Sequence, residues 1–465
     1  MDFVLPELFE EKMKTLLGEE WLTFWESYAG NRFQALRMNQ LKLDVSPDKE
    51  KQVREKFCLE KQVPWAKNAY YYESDVRPGK HPYHEIGVYY IQEPSAMSAA
   101  SVLDPKPGMR VLYLCAAPGG KTTDLAASLR ELYGDDFLLV SNEVMKARVG
   151  ILADNVALWG DPNVVVTSDD PKAFASLPGF FDVILADVPC SGEGMFRKDE
   201  EAVKQWSEDN VALCQARQKR IVADMWPALA QGGVFIYSTC TFNRKENDEN
   251  VRWIAEELGA DPITEDNTLP DMPGVLKTAM GYSLVPGFVE GEGQYCAALV
   301  KTSEVSSSYF APVSKRRGVP VSKGKKDEFP KSIYGLFDRK VYLAVKGEKI
   351  IAVPEYLKDD LIMLEGVLHV VASGCAAGMV KGKDFVPDAD LALSLMLSSE
   401  AYQTVGVDRE TALAFLHRDA VVLPEAERGY VILRYEGANI GFVKNIGSRC
   451  NNLHPQSRRI RMDIK

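Results

Sequence analysis

The chain has 465 residues, too many for one core, and its 46% hydrophobic and 26% charged residues are ordinary for a soluble globular protein of two to four domains. A net charge of −11 speaks against a uniformly basic nucleic-acid binder, and no apolar run approaches the ~20 residues that cross a bilayer. The eight cysteines (58, 115, 190, 214, 240, 296, 375 and 450) contain no CxxC pair, so neither a zinc site nor a disulfide framework is expected, and a reducing cytoplasm is.

The first segment, "PELFEEKMKTLLGEEWLTFWESY", has helical spacing and is acidic, unlike the basic-then-apolar pattern of a signal peptide. With the turn-rich "LRMNQLKLDVSPDKE" it makes residues 1–78 a small α+β module. From 79 to 302, short apolar strands ("RVLYLCAA", "FLLVSNE", "NVVVTSD", "FDVILADV", "GGVFIYSTC", "QYCAALVKT") alternate with amphipathic helices such as "GKTTDLAASLRELYG" and "KARVGILADNVALWG". That alternation predicts an α/β domain, a parallel sheet with helices on both faces. Residues 303–328 are rich in Ser, Pro and Lys and read as a linker, in which 313–326, "VSKRRGVPVSKGKK", carries six basic residues and no acid. Residues 329–400 read as a small α+β or β module. Residues 401–465 read as another, with the hairpin-like "GYVILRYEGANIGFVKN" and a basic tail holding Lys444, Arg449, Arg458, Arg459, Arg461 and Lys465. Basic patches on an acidic body can hold phosphates, because local potential acts within roughly 8 Å. Charge alone fits a solvated surface slightly better.

"VLYLCAAPGGKTTDLAA" sets Cys115, Ala116, Ala117, Pro118, Gly119, Gly120 and Lys121 between the first strand of the α/β domain and a helix. Ligands of open parallel sheets bind beyond such carboxyl ends, and glycines there admit close approach to a helix N-terminus. "GGKT" also suggests a phosphate loop, yet the glycine that motif needs is replaced by Cys115. The second strand ends at Glu143, suited to two ribose hydroxyls, and the third at "SDD", where Asp170 or Asp169 could accept from an adenine amino group. These features describe an adenosine ligand without a polyphosphate, and S-adenosyl-L-methionine fits better than a dinucleotide.

Two further strands end in thiols. "VILADVPCSGEG" delivers Cys190 and "FIYSTCTFN" delivers Cys240, each beside small polar residues where the chain leaves the sheet, whereas a structural cysteine belongs inside a core. Taken together, "CAAPGGKT", "DVPCSGEGMFRKD" and "YSTCTFNRKEN", with "LRMNQLK" and "HEIGVYYIQEPSAM" before them, resemble the Nol1/Nop2/Sun family of RNA 5-methylcytosine methyltransferases and, within it, the bacterial RsmF (YebU-like) 16S rRNA enzymes.

The resemblance implies a class I, Rossmann-like methyltransferase sheet with PUA-like RNA-binding modules behind it. It also implies a covalent mechanism, with Cys240 as nucleophile at carbon 6 of cytosine, Cys190 assisting product release and Asp187 hydrogen-bonding ring nitrogen 3. The family usually carries an Asp where this chain has Tyr113, which puts cofactor affinity in question. Lys121 is a candidate to lower the Cys240 pKa or to meet the cofactor's carboxylate. RNA contacts are expected at Arg37, Asn39, Arg197, Lys198, Arg458 and Arg459, since the target base has to be flipped or unpaired and held. The expected partner is 16S rRNA or the small subunit, the protein acting as a monomer without a metal. Two other readings are a ribosome-assembly factor that has lost turnover and a P-loop nucleotide hydrolase.

Overall fold

The computed structural model describes residues 5–43, 47–101, 108–263, 274–305, 329–382 and 384–461; most of the expected linker, including 313–326, and Lys465 lie outside them. The amphipathic opening forms helices Glu7–Leu17 and Trp21–Ser27, the first stopped by Gly18. Phe9, Met13 and Leu17, four apart, form its buried stripe. Phe9 meets Phe196 and Trp206 edge-on, with ring centroids 5.0 and 5.8 Å away.

Strands β1 (Gln34–Met38), β2 (Ala69–Tyr72) and β3 (Tyr89–Gln92) make a three-stranded antiparallel sheet in the order β2-β1-β3. The boundary expected at 78 therefore falls inside this unit, because β1 pairs with a strand beyond it.

The central sheet has ten strands. Its parallel part is β4 (Met109–Leu114), β5 (Phe137–Asn142), β6 (Val164–Thr167), β7 (Phe181–Asp187) and β8 (Leu229–Thr239), ordered β6-β5-β4-β7-β8. Four of the remaining five are β9 (Ala260–Pro262), β10 (Val275–Lys277), β11 (Tyr282–Leu284) and β12 (Gln294–Lys301), and the tenth is contributed by residues 370–373. The parallel reading of "QYCAALVKT" is corrected: as β12 it runs antiparallel to β8. Strand order reverses between β5 and β7, around β4, which opens a crevice at the carboxyl ends of β4 and β7.

Alternate strand residues feed two cores. Val111, Tyr113, Leu139, Val183 and Leu185 face one layer with Ala35, Val63 and Trp65 of the N-terminal unit. Leu112, Leu114, Val140, Ile184 and Phe235 face another layer.

Strands β13 (Val341–Lys346) and β14 (Lys349–Pro354) pair as a hairpin, and helix Lys358–Val367 follows. Then β15 (Val370–Ser373) leaves that hairpin and pairs antiparallel with β6, extending the central sheet, before β16 (Cys375–Lys381) and β17 (Asp384–Pro387) return to complete a four-stranded sheet. Leu357, Leu361, Leu364, Leu368 and Val370 complete the second core layer. So the segment expected as a separate module is built partly into the α/β unit. The last sheet is β18 (Gln403–Val407), β19 (Gly429–Tyr435), β20 (Ala438–Asn445) and β21 (Cys450–Asn452), with β18 parallel to β19.

Arg37 and Asn39 are corrected from the expected RNA contacts, because both are buried between units. Arg37 lies within 3.2 Å of Asp124 and donates to Thr123 Oγ1 (2.7 Å) and to the Gly120 carbonyl (3.1 Å). Asn39 donates to the Gly87 and Trp159 carbonyls at 3.1 and 2.9 Å. Burial pulls the Arg37 pKa down and pushes the Asp124 pKa up, each opposed by the other's charge. Removing one partner leaves a buried uncompensated charge, so Arg37→Ala is expected to destabilise the chain by about 3–5 kcal/mol, read as a lowered midpoint in thermal unfolding.

Candidate active site

Strands β7 and β8 are hydrogen-bonded neighbours, with Asp187 in register with Ser238, so the turns that follow them leave one rim of the sheet. Those turns carry the thiols. Cys190 Sγ and Cys240 Sγ lie 3.2 Å apart, both free and partly exposed. The close approach depends on Gly194: its N–H donates to the Cys240 carbonyl at 2.8 Å, and a Cβ there would sit 2.9 Å from that oxygen.

Two buried carboxylates lace the turns together. Glu246 accepts from Ser191 N (3.0 Å), Gln218 Nε2 (2.7 Å) and Asn243 Nδ2 (2.8 Å). Glu193 accepts from Phe242 N (2.8 Å), Asn243 N (3.0 Å) and Trp206 Nε1 (3.0 Å). Burial raises the Glu246 pKa despite those donors. The Cys240 thiol first, then burial, then the charges of Cys240 and Glu246 push the Cys190 thiol well above its ordinary value, so it keeps its proton at neutral pH.

Asp187 ends β7 at the mouth of the crevice. Lys121 Nζ donates to its Oδ2 at 2.8 Å and Gln294 Nε2 to its Oδ1 at 3.3 Å. Burial opposes the Lys121 charge, but the Asp187 carboxylate outweighs it and Cys240 adds to the effect, so the ammonium is retained. Lys121 is thereby turned toward the thiols, which leaves the glycine loop without the lysine a phosphate loop requires.

The 115–121 loop approaches its neighbours closely. Cys115 and Gly119 have φ of 61° and 116°, and a Cβ on Gly120 would meet Gln92 and Tyr90 at 3.1–3.3 Å. Ala116 N donates to the Asn142 carbonyl (2.9 Å) and Ala117 N to Glu143 Oε2 (3.3 Å). Asn155 and Arg148 hold the Pro118 and Ala117 carbonyls. Glu143, buried at the end of β5, also accepts from Met145 N at 2.9 Å. Asp170 is exposed and caps the turn Pro171–Ser176 through Lys172 N (3.1 Å), whereas Asp169 Oδ2 accepts from His369 N (2.7 Å). Burial pushes the Cys115 thiol up to about 12, as expected of a structural cysteine. Tyr113 is buried in the core layer under the N-terminal sheet, and burial holds its phenol protonated. A narrow glycine turn, the free end of helix Gly120–Tyr133, a buried carboxylate at β5 and an exposed one after β6 suit an adenosyl group with no phosphate chain.

Residues 100–300 match the family profile described as 16S rRNA methyltransferase RsmB/F, residues 5–94 the N-terminal domain of 16S rRNA methyltransferase RsmF, and residues 402–460 the methyltransferase RsmF PUA domain. A ribosomal RNA small subunit methyltransferase F of Pectobacterium atrosepticum is 32% identical over 91% of this chain and 89% of its own length. The chain belongs to the RsmF family of 16S rRNA methyltransferases. The protein of that name from Vibrio vulnificus is 30% identical over 97% of both chains. A methyltransferase homolog from Pyrococcus horikoshii superposes with a TM-score of 0.55 at 27% identity, over 64% of this chain and 95% of that one. The NSun6 structure from the same organism, solved with SFG, has the same fold, with a TM-score of 0.55 at 20% identity over 64% of this chain and 99% of its own. The methyltransferase sheet is Rossmann-like and its cofactor is S-adenosylmethionine.

In this RsmF-family chain the remaining expected RNA contacts divide. Arg197 is corrected: it is buried, donates to the Gly30 and Asn31 carbonyls (3.3 and 2.9 Å) and faces Glu292 at 3.6 Å. Arg458 is largely taken up by Asp154 (3.0 Å) and Asp390 (2.6 Å), which ties the C-terminal segment to helix Lys146–Trp159. Lys198 is half-buried, and Arg459 is exposed and reaches His417. Glu193, Asn243, Glu246 and Gln294 received no role from sequence. The first three lie inside the quoted motifs, and acids among Ser, Gly and Asn beside a thiol were the available signal. Gln294 had none. Among the described residues no group of three or more His, Cys, Asp or Glu is placed to hold a metal ion, and no helix is long and apolar enough to cross a membrane.

Proposed function

We propose that this chain methylates carbon 5 of cytidine in the 16S rRNA of the small ribosomal subunit through a transient bond between Cys240 and the base. The observation that carries the reading is the pair of thiols 3.2 Å apart on one rim, beside the Lys121–Asp187 pair. Carbon 5 of cytosine is a poor nucleophile; addition of the Cys240 sulfur at carbon 6 breaks the aromaticity and leaves electron density on carbon 5. Asp187, paired with the Lys121 ammonium at 2.8 Å, faces ring nitrogen 3 as charge develops there. Once carbon 5 is methylated its proton leaves to solvent. The freed pair re-forms the 5,6 double bond, the bond from carbon 6 to sulfur breaks, and the protonated Cys190 thiol donates to the departing Cys240 sulfur. Residues 115–121, Glu143 and Asp170 hold S-adenosylmethionine, which supplies an electrophilic sulfonium methyl group when bound. The PUA domain, with Lys198 and Arg459, grips the RNA so that an unpaired or flipped base reaches the rim.

The test is incubation with methyl-labelled S-adenosylmethionine and small-subunit rRNA, followed by nucleoside analysis. Label is expected as 5-methylcytidine. With Cys190→Ala, a covalent protein–RNA species is expected to accumulate on a denaturing gel; a gel with only free protein, under conditions where the unmutated chain turns over, overturns the division of labour between the thiols. No transfer by the unmutated chain favours an assembly factor.

A further inference from the structure

Gln294 opens β12 and lies in none of the motifs. Its Nε2 donates to Asp187 Oδ1 (3.3 Å) and to Ser238 Oγ, while Lys121 holds Asp187 Oδ2 (2.8 Å). Each oxygen of the Asp187 carboxylate is thus held by a donor from a different element. Gln294 has only 2% of its surface exposed. The loop before it leaves its backbone no room to drift: Glu93 accepts from Glu292 N (2.8 Å), a Cβ at Gly291 would lie 2.0 Å from Ser95 Oγ, and one at Gly293 would lie 2.5 Å from the Phe242 ring.

We infer that Gln294 is a positioning residue for the methyl transfer, holding the Asp187 carboxylate toward the cytosine until the base docks. The inference rests on the carbon-5 reading above. As the bond from Cys240 to carbon 6 forms, the electron pair of the 5,6 double bond shifts to the bond between carbons 5 and 4. The pair of the bond between carbon 4 and nitrogen 3 moves onto nitrogen 3. The Cys240 thiol gives up one proton and nitrogen 3 gains one, so a carboxylate that accepts the first and delivers the second balances the step. It has to be ionised beforehand and aimed at the ring. A donated hydrogen bond favours the ionised carboxylate, and a second donor fixes its plane. Ser238, two residues before Cys240, holds the amide in the orientation that reaches Asp187.

The experiment measures total methyl transfer to small-subunit rRNA against pH for the full-length chain and for Gln294→Leu and Gln294→Glu, with the product identified by mass spectrometry. For Gln294→Leu, kcat on the plateau is expected to fall about tenfold with KM for S-adenosylmethionine unchanged. Its acid limb is expected to move up, because the carboxylate loses a hydrogen bond donated to its charged form. Gln294→Glu, of the same length, moves the limb further by setting a second carboxylate against Asp187. Profiles that superimpose on the unmutated one after scaling overturn the inference, since a merely structural role lowers activity equally at every pH. If Gln294→Leu does not fold, Gln294→Glu decides alone. A product other than 5-methylcytidine with a shifted limb removes the carbon-5 reading and leaves the Gln294–Asp187 coupling standing.

Discussion

Cys240→Ala is expected to lower methyl transfer by about four orders of magnitude or more while leaving the fold and cofactor binding in place. The loss is large because the sulfur itself forms the bond that activates carbon 5, and a methyl group offers no substitute. Cys240→Ser is expected to do little better, a hydroxyl being a far weaker nucleophile near neutral pH. The fold survives because Cys240 is only partly buried and contributes its carbonyl, through Gly194, in either residue. Cofactor affinity survives because the 115–121 loop hangs on Asn142, Glu143, Arg148 and Asn155, none of them in the Cys240 turn. Calorimetric titration with S-adenosylmethionine, a thermal melt and a labelled-transfer assay read the three quantities separately. Transfer that persists in Cys240→Ala would move the nucleophile elsewhere. The neighbouring Cys190 is a poor replacement: the mutation removes the Cys240 hydrogen bond that raises its pKa most, but burial and the Glu246 charge still favour the protonated thiol.

Ending the chain after residue 305 is expected to leave no stably folded methyltransferase, although the 79–302 region looks complete in sequence. Leu357, Leu361, Leu364, Leu368 and Val370 sit in the core layer under β4, β5 and β7. Burial of each is worth about 1.5–3 kcal/mol, so their loss removes roughly as much as the 5–15 kcal/mol by which a whole domain is stable. Polar ties go with them: Arg110 to Asp360 (3.0 Å), Tyr356 to Asn163 (2.7 Å) and His369 N to Asp169 (2.7 Å). Circular dichroism is expected to show a lost or broadened unfolding transition, with aggregation. In the full-length chain, Leu364→Ala is expected to cost about 2–5 kcal/mol, because the side chain is fully buried between the helix and the sheet. A truncated protein that melts cooperatively at the full-length temperature would contradict this account.

The strands of the central sheet were legible because apolar runs of strand length alternate with helical periods, and the thiols stood out because they end two of those runs. Partnership across the chain was not legible. "HVVAS" reads as a strand, but periodicity carries no information on which strand it joins, and β15 joins β6 rather than its chain neighbours. Arg37 sits in a motif and carries a charge, so it reads as a surface contact; its partner Asp124 lies in another unit, and only the assembled packing shows the guanidinium enclosed. Asn39 and Arg197 misled in the same way, their amide and guanidinium being spent on distant carbonyls. Glu193 and Glu246 were visible as acids beside the cysteines. Their function as a brace, however, depends on donors from the opposite turn and, for Glu246, from Gln218 in helix Glu208–Met225.

The pairing of β15 with β6 also bears on how a nascent chain matures. Until Val370–Ser373 emerge from the exit tunnel, one border of the half-made sheet, Val164–Thr167, presents unpaired amides and carbonyls on an all-valine-and-threonine strand, the kind of border that recruits other chains. The interval between synthesis of β6 and of β15 therefore passes with this border uncapped, and a polypeptide stalled in it is a natural client for chaperones.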